Sequence, residues 1–67
     1  MQEKIGITAG QVWEYLYNHG SVTAIKLKSD LGISNTVLYL ALGWLAREDK
    51  IQVTESEHSF KISLKQQ

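Results

Sequence analysis

Apolar residues return along this chain at two different periods. From Val12 to Leu45 they recur every three or four positions, and after Lys50 they alternate with polar ones. The first pattern predicts amphipathic helices, and the second predicts strands with one buried face.

Glycines and small polar residues divide the helical part. Thr8-Ala9-Gly10-Gln11 has the form of a capping box, with Thr8 as N-cap and Gln11 reaching back from the third helical position. Ile7 and Val12 stand at the spacing of a hydrophobic staple. Val12 with Leu16, and Trp13 with Tyr17, lie one turn apart and make a broad apolar face. Asn18-His19-Gly20 ends the helix, because Gly20 is free to turn left-handed. A first helix over about residues 9–19 is therefore predicted. Ser21-Val22 reads as a short extended piece, and Thr23 as the N-cap of a second helix ending near residue 31. Leu27 and Leu31 face inward on it, while Lys26, Lys28 and Asp30 face water.

A third helix starts almost at once, with Ser34 as N-cap and Ile33 with Leu38 repeating the staple spacing. At about 100° per residue, Val37, Leu38, Ala41, Leu42 and Leu45 share one side. Asn35, Thr36, Tyr39, Gly43 and Arg47 share the other, with Leu40 and Trp44 on the margin. The run Arg47-Glu48-Asp49-Lys50 closes this helix. Ile51 and Val53, then Phe60, Ile62 and Leu64, mark two strands joined by a hairpin loop over Glu55-Ser56-Glu57-His58-Ser59. Lys65-Gln66-Gln67 reads as a frayed end. The expected core is Val12, Leu16, Leu27, Leu31, Ile33, Leu38, Leu42, Leu45, Ile51, Phe60 and Ile62.

The most informative run is Thr23 to Ser34. A glycine between two helices, then an apolar plug and a capping serine, makes the corner of a helix–turn–helix. Gly32 supplies a backbone conformation other residues resist, Ile33 fills the space between the helices, and Ser34 satisfies free amides of the next helix. The hairpin supplies a wing. The expected fold is one α+β winged helix–turn–helix domain over residues 1–67, ordered from about 5 to 64. Its three helices pack under a small antiparallel sheet that carries the C-terminal wing.

With these elements in place, the chain resembles winged helix–turn–helix proteins from about Ile5 to Leu64. More narrowly, Ala41-Leu42-Gly43-Trp44-Leu45-Ala46-Arg47-Glu48 with Lys50-Ile51 is similar to a family of small bacterial stand-alone winged-helix domains of unknown function. The resemblance implies DNA-binding ancestry and a non-enzymatic role in transcription-related regulation. It places Asn35, Thr36, Tyr39, Leu40 and Gly43 at base edges in the major groove. Asn35 suits adenine, and Thr36 suits a thymine methyl or a phosphate. Lys26, Lys28, Lys50, Lys61 and Lys65 are the available phosphate contacts.

Charge tempers this expectation. Seven basic residues balance seven acidic ones, so the formal net charge is +0. A dedicated nucleic-acid binder draws most of its affinity from phosphate contacts and shows a basic footprint. Arginine to guanine is the commonest specific contact, and the first three turns of the third helix carry no arginine or lysine. The wing loop carries Glu55 and Glu57, which repel phosphate. The alternative is a protein-interaction or homodimerisation module that has lost DNA binding, using Tyr39, Leu40, Gly43 and Trp44 or a free wing edge. Gly43, costly inside a helix by about 1 kcal/mol against alanine, then allows close approach of a partner. In the competing account Trp44 packs down on the wing and Gly43 only makes room for it.

Other chemistries find little support. There is no cysteine, which removes disulfides, thiolate zinc sites and cysteine nucleophiles. His19 and His58 have no partner at metal-ligand spacing, and the serines have no nearby histidine–carboxylate pattern. No cofactor, small-molecule substrate or catalytic site is expected. A polar start and the lack of a long apolar run point away from a signal peptide or a membrane span, so a cytoplasmic location is expected.

Overall fold

The computed structural model describes residues 2–55 and 59–65. The elements are α1 (Gln2–His19), β1 (Val22–Thr23), α2 (Ala24–Leu31), α3 (Asn35–Arg47), β2 (Ile51–Glu55) and β3 (Phe60–Leu64). The three strands form an antiparallel sheet in the order β1-β3-β2. Three helices and a small antiparallel sheet with a terminal hairpin make the winged helix–turn–helix architecture that the chain's two periodicities predict. The tip of the wing loop, with Glu57 and His58, lies outside the described residues, as do Gln66 and Gln67.

The second and third helices begin and end where local chemistry places them. Thr23 accepts a hydrogen bond at Oγ1 from the Lys26 amide at 3.2 Å, and Ser34 does the same at Oγ for the Val37 amide, also at 3.2 Å. Gly32 sits at φ 63°, and its amide donates to the Lys28 carbonyl at 2.9 Å. Each contact satisfies a backbone group that the helix itself leaves open.

The first helix corrects the expectation. It starts at Gln2, about two turns before the predicted start. Thr8 is therefore no N-cap; it lies in the helix interior and is buried. The staple is absent too, since Ile7 is 66% exposed while Val12 is wholly buried. The cause is a helical stripe that runs on toward the N-terminus. Ile5, Ala9, Val12 and Leu16 follow one another at helical spacing, with Ile5 half-buried and the others buried. Packing of this stripe outweighs the low helix propensity of Gly6 and Gly10.

The core joins α1, α2, α3 and the base of the sheet. Leu16, Leu27, Leu38, Ile62 and Val12 are its largest fully buried side chains. Leu31 and Ile33 are half-buried and pack against it. Ala9, Ala24 and Ala41 join it as well, although their small apolar area did not mark them as core. Phe60 does not belong to the core: it is 40% exposed, as is Val53 at 46%. For Phe60 the reason lies in the register. β1 pairs with β3 only at Val22↔Ile62 and Thr23↔Lys61, whereas β2 continues to Glu55↔Phe60. From Phe60 toward the loop the wing is a two-stranded ribbon that has outrun its third strand.

Candidate nucleic-acid interface

α3 is set by the corner that precedes it. With Gly32 turned left-handed, the Ile33 amide also reaches the Lys28 carbonyl, at 3.3 Å. The chain leaves α2 and enters α3 within three residues. The inner side of α3 (Val37, Leu38, Ala41, Leu42 and Leu45) is buried throughout. Its position is therefore fixed by the core, and its outer side is left to solvent.

All five residues expected at base edges lie on that outer side. Asn35, Thr36, Tyr39, Leu40 and Gly43 are exposed. Asn35 and Thr36 occupy the first turn, where the open amides of the helix N-terminus favour negative charge. Further along, the surface turns apolar at Tyr39, Leu40 and Trp44.

Among the described residues, Trp44 lies against α1 rather than the wing. Its indole lies over α1, where a Cβ added to Gly6 would stand 3.6 Å from Trp44 Cη2. The indole Nε1–H donates to Glu48 Oε1 at 3.1 Å. Apart from its chain neighbours Leu42 and Trp44 and the backbone of its own helix, no atom of the described residues lies within 4 Å of where a Gly43 Cβ would stand.

The five lysines do not gather beside Asn35 and Thr36. Lys26 is held by Asp30 at 3.3 Å, and Asp30 also accepts the hydroxyl hydrogen of Tyr15 on α1. Lys65 is held by Asp49 at 2.5 Å, just past the C-terminal end of α3. Lys50 lines a groove with Trp13 and Trp44 at that same end. The 13 residues of α3 span about 20 Å at 1.5 Å per residue, so these two lysines stand far from the first turn. Lys28 is half-buried on α2, and Lys61 is exposed on β3 across from Thr23 and Thr54. Neither has an ion-pair partner among the described residues.

The Tyr15–Asp30 contact perturbs both groups. Donation by the Tyr15 hydroxyl, foremost, holds the Asp30 carboxyl below its ordinary value; partial burial opposes this and Lys26 assists it. The Tyr15 hydroxyl is raised, first by that hydrogen bond, then by burial and by the Asp30 charge. The His19 ring lies tilted by 33° against that of Tyr15, with centroids 4.3 Å apart. Among the described residues no cluster of three or more His, Cys, Asp or Glu side chains could hold a metal ion. No helix among them is long and apolar enough to cross a membrane.

The surface that α1 and α3 build together is not evident from the sequence. Trp44 has a groove on either side, one lined by Ile5, Tyr39, Leu40 and Gly43, the other by Gly6, Gly10 and Trp13. The four-residue spacing of Gly6 and Gly10 is the available signal, and it has meaning only once the helix is known to begin before Gly6.

Comparison with known proteins agrees with this geometry. The family model described as Winged helix-turn-helix domain (DUF2582) matches residues 1–64. The chain is also 37% identical over 68 residues to "Uncharacterized protein MJ1608" of Methanocaldococcus jannaschii, covering 97% of this chain and 96% of that one. That relative is archaeal, so the family is not confined to bacteria as the sequence resemblance suggested.

Proposed function

The chain belongs to the winged helix-turn-helix domain family DUF2582, and from that membership we propose that it binds double-stranded DNA through the outer side of α3, in transcription-related regulation. The observation that carries this reading is the unobstructed face from Asn35 to Gly43, held out from the core by the five buried residues behind it. A major groove admits one α-helix, and the residues nearest its N-terminus meet the base edges. Asn35 pairs with adenine, Thr36 touches a thymine methyl or a phosphate, and Tyr39 lies along the groove wall. Lys28 and Lys61 supply phosphate contacts.

Binding of this kind is weak. With +0 net charge and no basic residue in the first three turns of α3, few phosphates are neutralised, and a Kd of roughly micromolar or weaker follows near physiological salt. The neutral balance also favours a second reading, in which the module has exchanged DNA for a protein partner. A titration with mixed-sequence duplex DNA at two salt concentrations separates them. Salt-sensitive amide shifts at Asn35, Thr36 and Lys61 are expected for DNA binding, and their absence overturns it.

A further inference from the structure

We infer that the Trp44 ridge is the seam of a two-fold homodimer, whose occupant is a second copy of this chain. The seam shares Tyr39, Leu40 and Gly43 with the face proposed for DNA, so DNA and a second copy compete for it.

Trp44 is 41% exposed despite its size, and Tyr39 and Leu40 beside it are 49% and 42% exposed. The indole is held in place by Gly6 beneath it and by Glu48 at its Nε1–H. It therefore stands as a fixed apolar ridge, with the Gly43 groove on one side and the Gly10 groove on the other. A Cβ added at Gly10 or at Gly43 would meet no atom of the described residues within 4 Å, its chain neighbours and own-helix backbone aside. The space above each is unused internally. A two-fold contact places the same patch on both partners, so a ridge beside a groove complements its own copy: each indole enters the groove of the other.

Charge selects this occupant. The rim of the Gly43 groove carries Arg47 and Glu48, adjacent and of opposite sign. Arg47 has no acidic partner among the described residues. A two-fold axis that passes between these two side chains sets Arg47 of each copy against Glu48 of the other. A DNA backbone would meet Glu48 with repulsion, and a strongly charged protein would leave one of the two charges unmatched. With a net charge of +0, two copies also approach without long-range repulsion.

The test is sedimentation of the full chain from micromolar to millimolar concentration. The parent should show a monomer–dimer equilibrium. Gly43→Lys and Gly10→Lys put a charged chain into open space, so both variants should keep the parent's helical circular dichroism. Each should weaken association by roughly tenfold or more, equivalent to about 1.4 kcal/mol or more. Val53→Lys, on the free edge strand β2, should leave association unchanged. A parent that stays monomeric at millimolar concentration overturns the proposal. So does a dimer that survives both glycine substitutions, or one that only Val53→Lys disrupts.

Discussion

Trp44 lies across the backbone of Gly6, with its Cη2 3.6 Å and its Cζ2 3.7 Å from where a Gly6 Cβ would stand. These are ordinary contact distances, so the indole rests on the helix without demanding a glycine there. Gly10, one turn on, would place its Cβ in open space.

Replacing Gly10 with alanine should therefore stabilise the fold. Glycine in a helix interior costs about 1 kcal/mol against alanine, and nothing in the chain opposes the added methyl. A gain of about 0.5–1 kcal/mol corresponds to roughly 2–8 °C in Tm for a domain of this size. Gly6→Ala should gain less, because its methyl meets the indole. Thermal melts followed by circular dichroism check both, and a Gly10→Ala variant with an unchanged or lower Tm would show that α1 does not extend through this position.

Gly32 presents the opposite case. Its φ of 63° is a conformation that costs a β-branched residue most. Gly32→Val should lose about 1–2 kcal/mol or more, and Gly32→Asn should lose less, since asparagine tolerates the left-handed region. Urea midpoints measure the difference. Equal midpoints for the parent and Gly32→Val would mean that the α2–α3 corner is placed wrongly.

Asp49 closes α3 in a glycine-like conformation, at φ 61°. The Asp49 amide donates to the Ala46 carbonyl and the Lys50 amide to the Leu45 carbonyl, both at 3.0 Å, the pairing of a Schellman end. Asp49→Gly should match or exceed the parent, and Asp49→Val should fall below Asp49→Gly by more than about 1 kcal/mol. The ion pair to Lys65 contributes little by comparison, because its side chains are 46% and 74% exposed; Lys65→Ala should cost no more than about 1 kcal/mol. A Lys65→Ala variant less stable than Asp49→Val would reverse this ranking.

Tyr15 and Asp30 impose a pH dependence with two limbs. The Asp30 carboxyl titrates lower in the folded chain than in the unfolded one. Its stabilising contact is complete above the ordinary aspartate value of about 3.9 and is lost as pH falls through the folded value. Tyr15 is raised on folding, so its share is complete below about 10 and is lost as pH rises through the folded value. Stability should be flat between these limits as far as this pair is concerned. Tyr15→Phe should move the Asp30 titration upward, read by carboxyl carbon NMR. An Asp30 that titrates at the same pH in both proteins would show that the hydroxyl does not reach it.

The parts of this protein legible in its sequence are those settled by neighbours along the chain. Thr23, Gly32 and Ser34 bound α2 and α3 because a cap needs only a side-chain oxygen, or a missing Cβ, within about one turn of the helix end. The buried side of α3 follows from helical spacing alone, and with it the exposed side from Asn35 to Gly43, so the residues of the candidate interface are legible in the order of the amino acids. Contacts between distant segments decided the rest. α1 begins at Gln2 because its stripe continues through Ile5 and Ala9, while the capping pattern at Thr8 is locally good and globally unused. Phe60 has the alternation of a core strand, yet it is exposed because β1 is too short to cover it. The direction Trp44 takes, and the separation of Lys50 and Lys65 from the first turn of α3, depend on how α1, α2 and the sheet are oriented about the core. Periodicity states which side of an element is buried, but only packing states what lies against it.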